Sequence, residues 1–158
     1  LGTDYIDLYQ LHSPRIEDIE KNDCIKTLQK MQSEGKIRSY GVSVRSPIDA
    51  IKLINKYNLK YIQTNFNIID QRAIDCDLFQ LSRKKNVHLI IRTPLVFGFF
   101  SFSNIDLKEL DISDHRRNYP KKQLDLWKKS KEKFDYRSTR GPPNKFQKRD
   151  SNEKLLSY

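Results

Sequence analysis

Polar side chains capable of chemistry stand at the ends of four apolar runs in this sequence. His12 ends the first run and Ser43 the second; Gln63 and Asn65 belong to the third, and Arg92 ends the fourth. An imidazole, a hydroxyl, an amide and a guanidinium all form directed hydrogen bonds, and a guanidinium can also stack on a ring or pair with phosphate. Such residues at equivalent positions indicate a ligand site.

The elements that must position these residues are short strands, each followed by a helical pattern. Strands are predicted over residues 5–11, 37–43, 61–65 and 87–92. Strands and helices that alternate at this spacing are joined by crossovers, so the strands are parallel. Because ligands bind at the carboxyl ends of parallel strands, the polar side chains are expected to surround one mouth.

Sequence signals for helices lie between the strands and after the last strand. The first helix has an apolar face and stops at Gly35, and the second begins after Ser46, whose hydroxyl can cap it. A third helix is predicted over residues 74–85, and a fourth over about residues 121–136. The repeated strand and helix pattern predicts an α/β fold.

Composition limits the class of protein. The hydrophobic share is 37% and the mean hydropathy is −0.76, and no apolar run reaches the roughly 18 residues that span a bilayer. Cys24 and Cys76 lack the spacing of a metal site, so we expect free thiols in a reducing compartment. The sequence therefore predicts a cytoplasmic protein without a membrane segment and without a metal.

The net charge of +10 is concentrated near the end of the sequence. Residues 1–115 hold 16 Lys and Arg against 15 Asp and Glu, whereas residues 116–158 hold 14 against 5. Residues 137–158 are rich in charge and helix breakers, which predicts a basic, disordered tail after a domain of residues 1–136. Such a tail can attract an anionic partner, but no aromatic interleaving indicates specific nucleic-acid binding.

Four segments of the sequence together resemble one family. The segment DYIDLYQLHSP, residues 4–14, resembles the signature strand of the aldo/keto reductases, and residues 35–43, 62–67 and 92–98 resemble later segments of that family in the same order. The resemblance covers about residues 1–136 and the fourth to seventh βα units. It implies a partial TIM (β/α)8 barrel of about four parallel βα units, followed by a C-terminal helix and the basic tail.

The resemblance also implies roles for individual residues. His12 matches the histidine that orients and polarises the substrate carbonyl, while NADPH or NADH supplies hydride. Ser43 and Gln63 match the residues that contact the nicotinamide carboxamide. Val44 stands where the family usually has asparagine, so one amide contact is missing or is made by backbone.

The segment after the fourth strand resembles the family's cofactor loop. Arg92 stands where many members carry a tyrosine that stacks on the nicotinamide, and Thr93, Leu95 and Gly98 would lie along the pyrophosphate. The resemblance makes all four of these residues candidates for binding the cofactor. A loop that simply packs apolar side chains would explain the same residues equally well.

Part of the family's catalytic machinery has no match in this sequence. The family's tyrosine acid, with its lysine and aspartate, lies on the first three strands, and Tyr5, Tyr9 and Tyr40 belong to other motifs. At 158 residues, beginning at Leu1, the sequence is shorter than the roughly 250 residues of a closed barrel. We expect an internal fragment of a carbonyl reductase that is inactive alone.

Three further hypotheses concern partners and function. Unpaired edge strands predict self-association or pairing with a complementary barrel fragment. A non-catalytic half-barrel that binds an anionic partner through its basic tail is the alternative to an enzyme. A regulator that senses the cofactor is a third possibility.

Overall fold

Four strands form the sheet that positions the candidate site. The computed structural model describes residues 2–99 and 109–138, without the side chains of 133–138, and the chain forms two compact units, Leu1–Asp106 and Leu107–Tyr158. All the strands belong to the first unit, and each lies within one residue of its predicted bounds. They are β1 (Ile6–His12), β2 (Ile37–Ser43), β3 (Tyr61–Asn65) and β4 (His88–Arg92).

The sheet is parallel throughout, as predicted. The strand order is β1-β2-β3-β4, so each strand pairs with the next along the sequence. Ser43 is paired with His12 on one side and with Gln63 on the other, and Asn65 is paired with Arg92. The polar residues at the strand ends therefore come together at one edge of the sheet.

Helices follow the strands and enclose a core with one side of the sheet. Val42 of β2 and Ile62 of β3 are fully buried against helical residues such as Leu53 and Leu78. Each buried aliphatic side chain of this size contributes about 1.5–3 kcal/mol. The helices of this unit are α1 (Ile16–Lys21), α2 (Cys24–Ser33), α3 (Pro47–Lys56), α4 (Arg72–Asp75) and α5 (Leu78–Lys85).

Two helix predictions were wrong in detail. The third helix, predicted as continuous over residues 74–85, is divided into α4 and α5 because Asp77 adopts a left-handed backbone, with φ 57°. The Ser46 side chain makes no capping hydrogen bond at α3. Its backbone carbonyl instead accepts from the amides of Asp49 and Ala50 at 3.1 and 3.2 Å.

The second unit contains a short 3-10 turn, His115–Asn118, and helix α6 (Lys121–Ser138). Trp127 is buried, with its ring 5.1 Å from that of Tyr119 in an edge-on contact. Across residues 2–99 and 109–138, no helix is both long and apolar enough to cross a membrane. The predicted tail lies outside the described residues from residue 139 onward.

Asp114 gives this unit a testable response to pH. Its carboxylate accepts from the backbone amide of Arg116 at 2.9 Å and from its guanidinium at 2.6 Å, and these bonds lower the pKa of Asp114 from 3.8 to about 2. The stabilisation is complete above pH 3.8 and is lost as the pH falls through about 2. Carboxyl NMR titration should give a midpoint near the lower value.

Arg116→Ala is the control for this titration, because it removes the side-chain hydrogen bond that contributes most to the shift. The midpoint of Asp114 should then rise toward 3.8. A wild-type midpoint already at that value would contradict the structure of the turn.

Candidate functional site

The candidate site lies where the four strands end. His12, Ser43 and Gln63 occupy one row across β1, β2 and β3, and paired residues of neighbouring parallel strands point to the same side of a sheet. Val42 and Ile62 alternate with them and are buried against the helices. The row therefore lies on the opposite side, where His12 is exposed, Gln63 is half-buried and Ser43 is only 3% exposed.

Hydrogen bonds join this row to Arg92 at the end of β4. The Ser43 hydroxyl donates to Gln63 Oε1 at 2.9 Å, and Arg92 Nη1 donates to Ser43 Oγ at 3.2 Å. Arg92 Nη1 also donates to Ser13 Oγ at 3.4 Å, next to His12. The structure thus brings together four of the residues predicted for the site, from four different strands.

Among the residues that the structure describes, two buried polar atoms on this side have no hydrogen-bond partner. They are Nε2 of Gln10 and Oδ1 of Asn65. Gln10 precedes His12 by two residues on β1, and Asn65 is paired with Arg92. Buried polar atoms are normally satisfied, so these two are exceptions on the side of the sheet that carries His12. Sequence analysis missed Gln10, although its spacing of two from His12 already placed it on the same side.

The loop after β4 is held by hydrogen bonds from its own backbone and from the side chain of Asn67. Thr93 has φ 57°, which is unusual for a β-branched residue, and its carbonyl accepts from Asn67 Nδ2 at 3.1 Å. Gly98 donates its amide to the Leu95 carbonyl at 3.0 Å and has φ 89°, a conformation that glycine adopts without strain. Leu95 is 56% exposed. No hydrogen bond of the described residues joins Leu95 or Gly98 to the Ser43 network.

Two backbone hydrogen bonds continue the sheet at the same strand ends. Ser13 adopts φ 51° directly after His12, and its amide donates to the Ser43 carbonyl at 2.8 Å. Val44 is 3% exposed, and its amide donates to the Gln63 carbonyl at 2.8 Å. Backbone hydrogen bonds therefore extend the sheet one residue beyond the strands and fix the spacing of the site.

Four parallel strands with helices between them and a polar cluster at their carboxyl ends define an α/β protein. Residues 1–149 match the family model described as the aldo/keto reductase family. The chain belongs to the aldo/keto reductase family, and the prediction of a partial TIM barrel is confirmed.

Similar proteins are known from several bacteria. The uncharacterized oxidoreductase YqkF of Bacillus subtilis (strain 168) is 32% identical over 106 residues, which are 67% of this chain and 34% of that protein. The NADH-specific methylglyoxal reductase of Escherichia coli (strain K12) is 31% identical over 104 residues, 64% of this chain and 31% of that protein. The chain thus spans about a third of the length of these curated relatives.

Solved structures of aldo-keto reductases have a similar fold over part of their length. The holo form of aldo-keto reductase AKR11C1 from Bacillus halodurans is similar at a TM-score of 0.58 and 30% identity, over 80% of this chain and 40% of that one. An aldo-keto reductase from Klebsiella pneumoniae in complex with NADPH is similar at a TM-score of 0.51 and 27% identity, over 64% of this chain and 38% of that one.

The residues of this chain fit one end of a nicotinamide cofactor. The amide nitrogen of Gln63 makes no hydrogen bond among the described residues, and it is the donor that the oxygen of a carboxamide group requires. Val44, being buried and apolar, offers no side-chain amide. In the part of the chain that the structure describes, no group of three His, Cys, Asp or Glu side chains could hold a metal ion.

Proposed function

We propose that this chain carries the carbonyl-orienting and nicotinamide-facing part of an NAD(P)H-dependent carbonyl reductase. The observation that supports the proposal most directly is the Ser43–Gln63 hydrogen bond of 2.9 Å in the same row as the exposed imidazole of His12. Membership of the aldo/keto reductase family also supports carbonyl reduction as the reaction at this site. The cofactor, when bound, supplies hydride to the carbonyl carbon.

In the proposed reaction, His12 donates a hydrogen bond to the carbonyl oxygen as that oxygen gains negative charge. A donor that is held in place before the reaction stabilises the developing alkoxide more than mobile water does. Register pairing with the buried Ser43 holds the backbone of His12, while its exposed ring can meet a substrate. Small aldehydes and ketones are the proposed substrates, since the Escherichia coli relative is a methylglyoxal reductase.

Ser43, Gln63 and Arg92 are the proposed cofactor-facing residues, and Thr93, Leu95 and Gly98 are proposed to lie beside the phosphates. We propose both NADPH and NADH as donors, because one related structure holds NADPH and one relative is specific for NADH. Forming the alcohol also requires a proton from an acid, and no residue of this sequence matches the acid of the family. The 158 residues alone are therefore proposed to be inactive.

The proposal predicts which side chains affect cofactor binding. Saturation-transfer NMR of the purified chain with millimolar NADPH should show contact at the nicotinamide protons. Gln63→Ala should weaken this binding roughly three- to tenfold, the effect of losing one hydrogen bond. His12→Ala should leave it unchanged, because His12 is proposed to contact the carbonyl substrate instead.

Gln80→Ala is the matched control. Gln80 is an exposed glutamine of α5 whose amide contacts Asp77 on the helical side of the sheet. Equal binding by the wild type, Gln80→Ala and Gln63→Ala would rule out the proposed cofactor contact.

A further inference from the structure

Arg92 stands at the centre of the hydrogen-bond network at the strand ends. Its Nη1 contacts Ser13 after β1 and Ser43 of β2, and Ser43 in turn contacts Gln63 of β3. The guanidinium is half-buried, and over residues 2–99 and 109–138 it takes part in no ion pair. Nη1 of Arg92 thus donates to two serine hydroxyl groups, one after β1 and one on β2, and among the described residues no carboxylate neutralises the charge of the guanidinium.

The charge and the donors of Arg92 set the direction of the hydrogen bonds around Ser43. A guanidinium has only donors, so Ser43 Oγ must accept from Arg92. The cation turns the hydroxyl proton away from itself and toward Gln63, whose atom at 2.9 Å is then the carbonyl oxygen, Oε1. The amide nitrogen of Gln63 is left pointing away from Ser43, and no described residue accepts a hydrogen bond from it.

Without Arg92 this direction is no longer determined. A serine hydroxyl can donate or accept, and a glutamine side chain can turn its nitrogen or its oxygen toward it at the same distance. The Ser43–Gln63 contact would survive, but the group that Gln63 presents to a ligand would alternate between a donor and an acceptor. The identity of that group decides which ligands the site selects.

We infer that Arg92 is a positioning residue that acts through Ser43 to hold Gln63 with its NH2 group toward the ligand. The site therefore selects a ligand that offers a carbonyl oxygen at this point. The identity of the ligand rests on the proposed function, whereas the effect of Arg92 on the orientation of the Gln63 side chain does not depend on it. This role of Arg92 is separate from stacking on a ring or pairing with phosphate.

The effect of Arg92 on the Gln63 side chain is tested on the full chain without any ligand. NMR relaxation of the Gln63 side-chain amide should show a rigid group in the wild type and an order parameter below about 0.6 in Arg92→Gln. Arg92→Lys keeps a charged donor and should restore much of the rigidity. Arg45→Gln is the control, since it removes the same charge at an exposed position after β2. A Gln63 amide that stays equally rigid in Arg92→Gln overturns the inference.

The selectivity is tested with NADPH and its 3-acetylpyridine analogue, which keeps the carbonyl oxygen and lacks the amide nitrogen. Arg92→Gln should weaken the binding of both roughly three- to tenfold, because both use the same hydrogen bond from Gln63. A loss for NADPH alone, or for neither compound, overturns the selection of a carbonyl oxygen. If the wild type binds neither compound, the proposed function fails, and the measurement on the ligand-free chain still decides the role of Arg92.

Discussion

Gly41→Ala is expected to lower the free energy of unfolding by about 1–3 kcal/mol, the usual cost of forcing an extra carbon into a packed interior. A Cβ at this position would lie 2.5 Å from the Tyr61 carbonyl oxygen and 2.9 Å from its Cβ. The obstacle is partly backbone, which cannot rotate out of the way as a flexible side chain can. Because Gly41 is paired with Tyr61, β2 and β3 would have to separate.

The same substitution should disturb the site. Two residues after Gly41 and Tyr61, the same pair of strands carries the contact between Ser43 and Gln63. Separating the strands lengthens that hydrogen bond. We therefore expect Gly41→Ala to mobilise the Gln63 side-chain amide as well as to reduce stability, and both effects can be measured on one sample by urea unfolding and NMR.

Two control substitutions distinguish the clash with Tyr61 from the general effects of changing a residue of β2 or of replacing a glycine. Ser39→Ala changes a half-buried residue of the same strand and should cost less than about 0.5 kcal/mol. Gly35→Ala adds a Cβ where nothing lies within 4 Å, so its effect comes only from the left-handed backbone, with φ 73°, and should be about 1 kcal/mol. If Gly41→Ala were as stable as Ser39→Ala, the close approach of β2 and β3 would be wrong.

The strands could be predicted because residues that form a parallel sheet have a recognisable pattern in the sequence. Short runs rich in β-branched and aromatic residues predict strands, and each of the four runs is a strand in the structure. Parallel pairing then placed His12, Ser43, Gln63 and Arg92 at one edge without any knowledge of side-chain conformations. This much of the site follows from the order of the elements alone.

The break between α4 and α5 had no comparable signal. Asp77 turns the backbone left-handed without glycine or proline nearby, and the apolar spacing continues across it. Aspartate tolerates this conformation better than most residues, but it also occurs within ordinary helices. The same is true of Ser13, whose φ of 51° turns the chain next to His12.

The Arg92 network could not be predicted for a different reason. It depends on the distances from one guanidinium to Ser13 and Ser43, residues 79 and 49 positions away in the sequence. Residue types suggested that Arg92 could stack on a ring or pair with phosphate, and both remain predictions. Only the positions of the atoms reveal that its Nη1 is directed at the hydroxyl groups of Ser13 and Ser43.

The chain alone is expected to reduce aldehydes and ketones too slowly to measure. General acid catalysis contributes about a hundredfold to ten-thousandfold, and the residues that provide it in the family are not matched in these 158 residues. The measurement is NADPH oxidation, followed by absorbance, at high protein concentration with a panel of small carbonyl compounds. Turnover at an ordinary enzymatic rate would mean that a residue of this chain supplies the proton, and Tyr5, Tyr9 and Tyr40 would be the first to replace.

Activity should return when the rest of a barrel is supplied. In the described part of the chain β1 and β4 are the outer strands of the sheet, so each has one edge that could pair with a further parallel strand. Co-expression with the first three and the last βα units of a family relative should raise turnover at least about a hundredfold above either part, the lower limit of the acid's contribution. His12→Ala in this chain should abolish the gain, whereas Gln80→Ala should preserve it. Restored turnover that survives His12→Ala would show that the partner fragment catalyses the reaction with a histidine-independent site, and the role proposed for His12 would be lost.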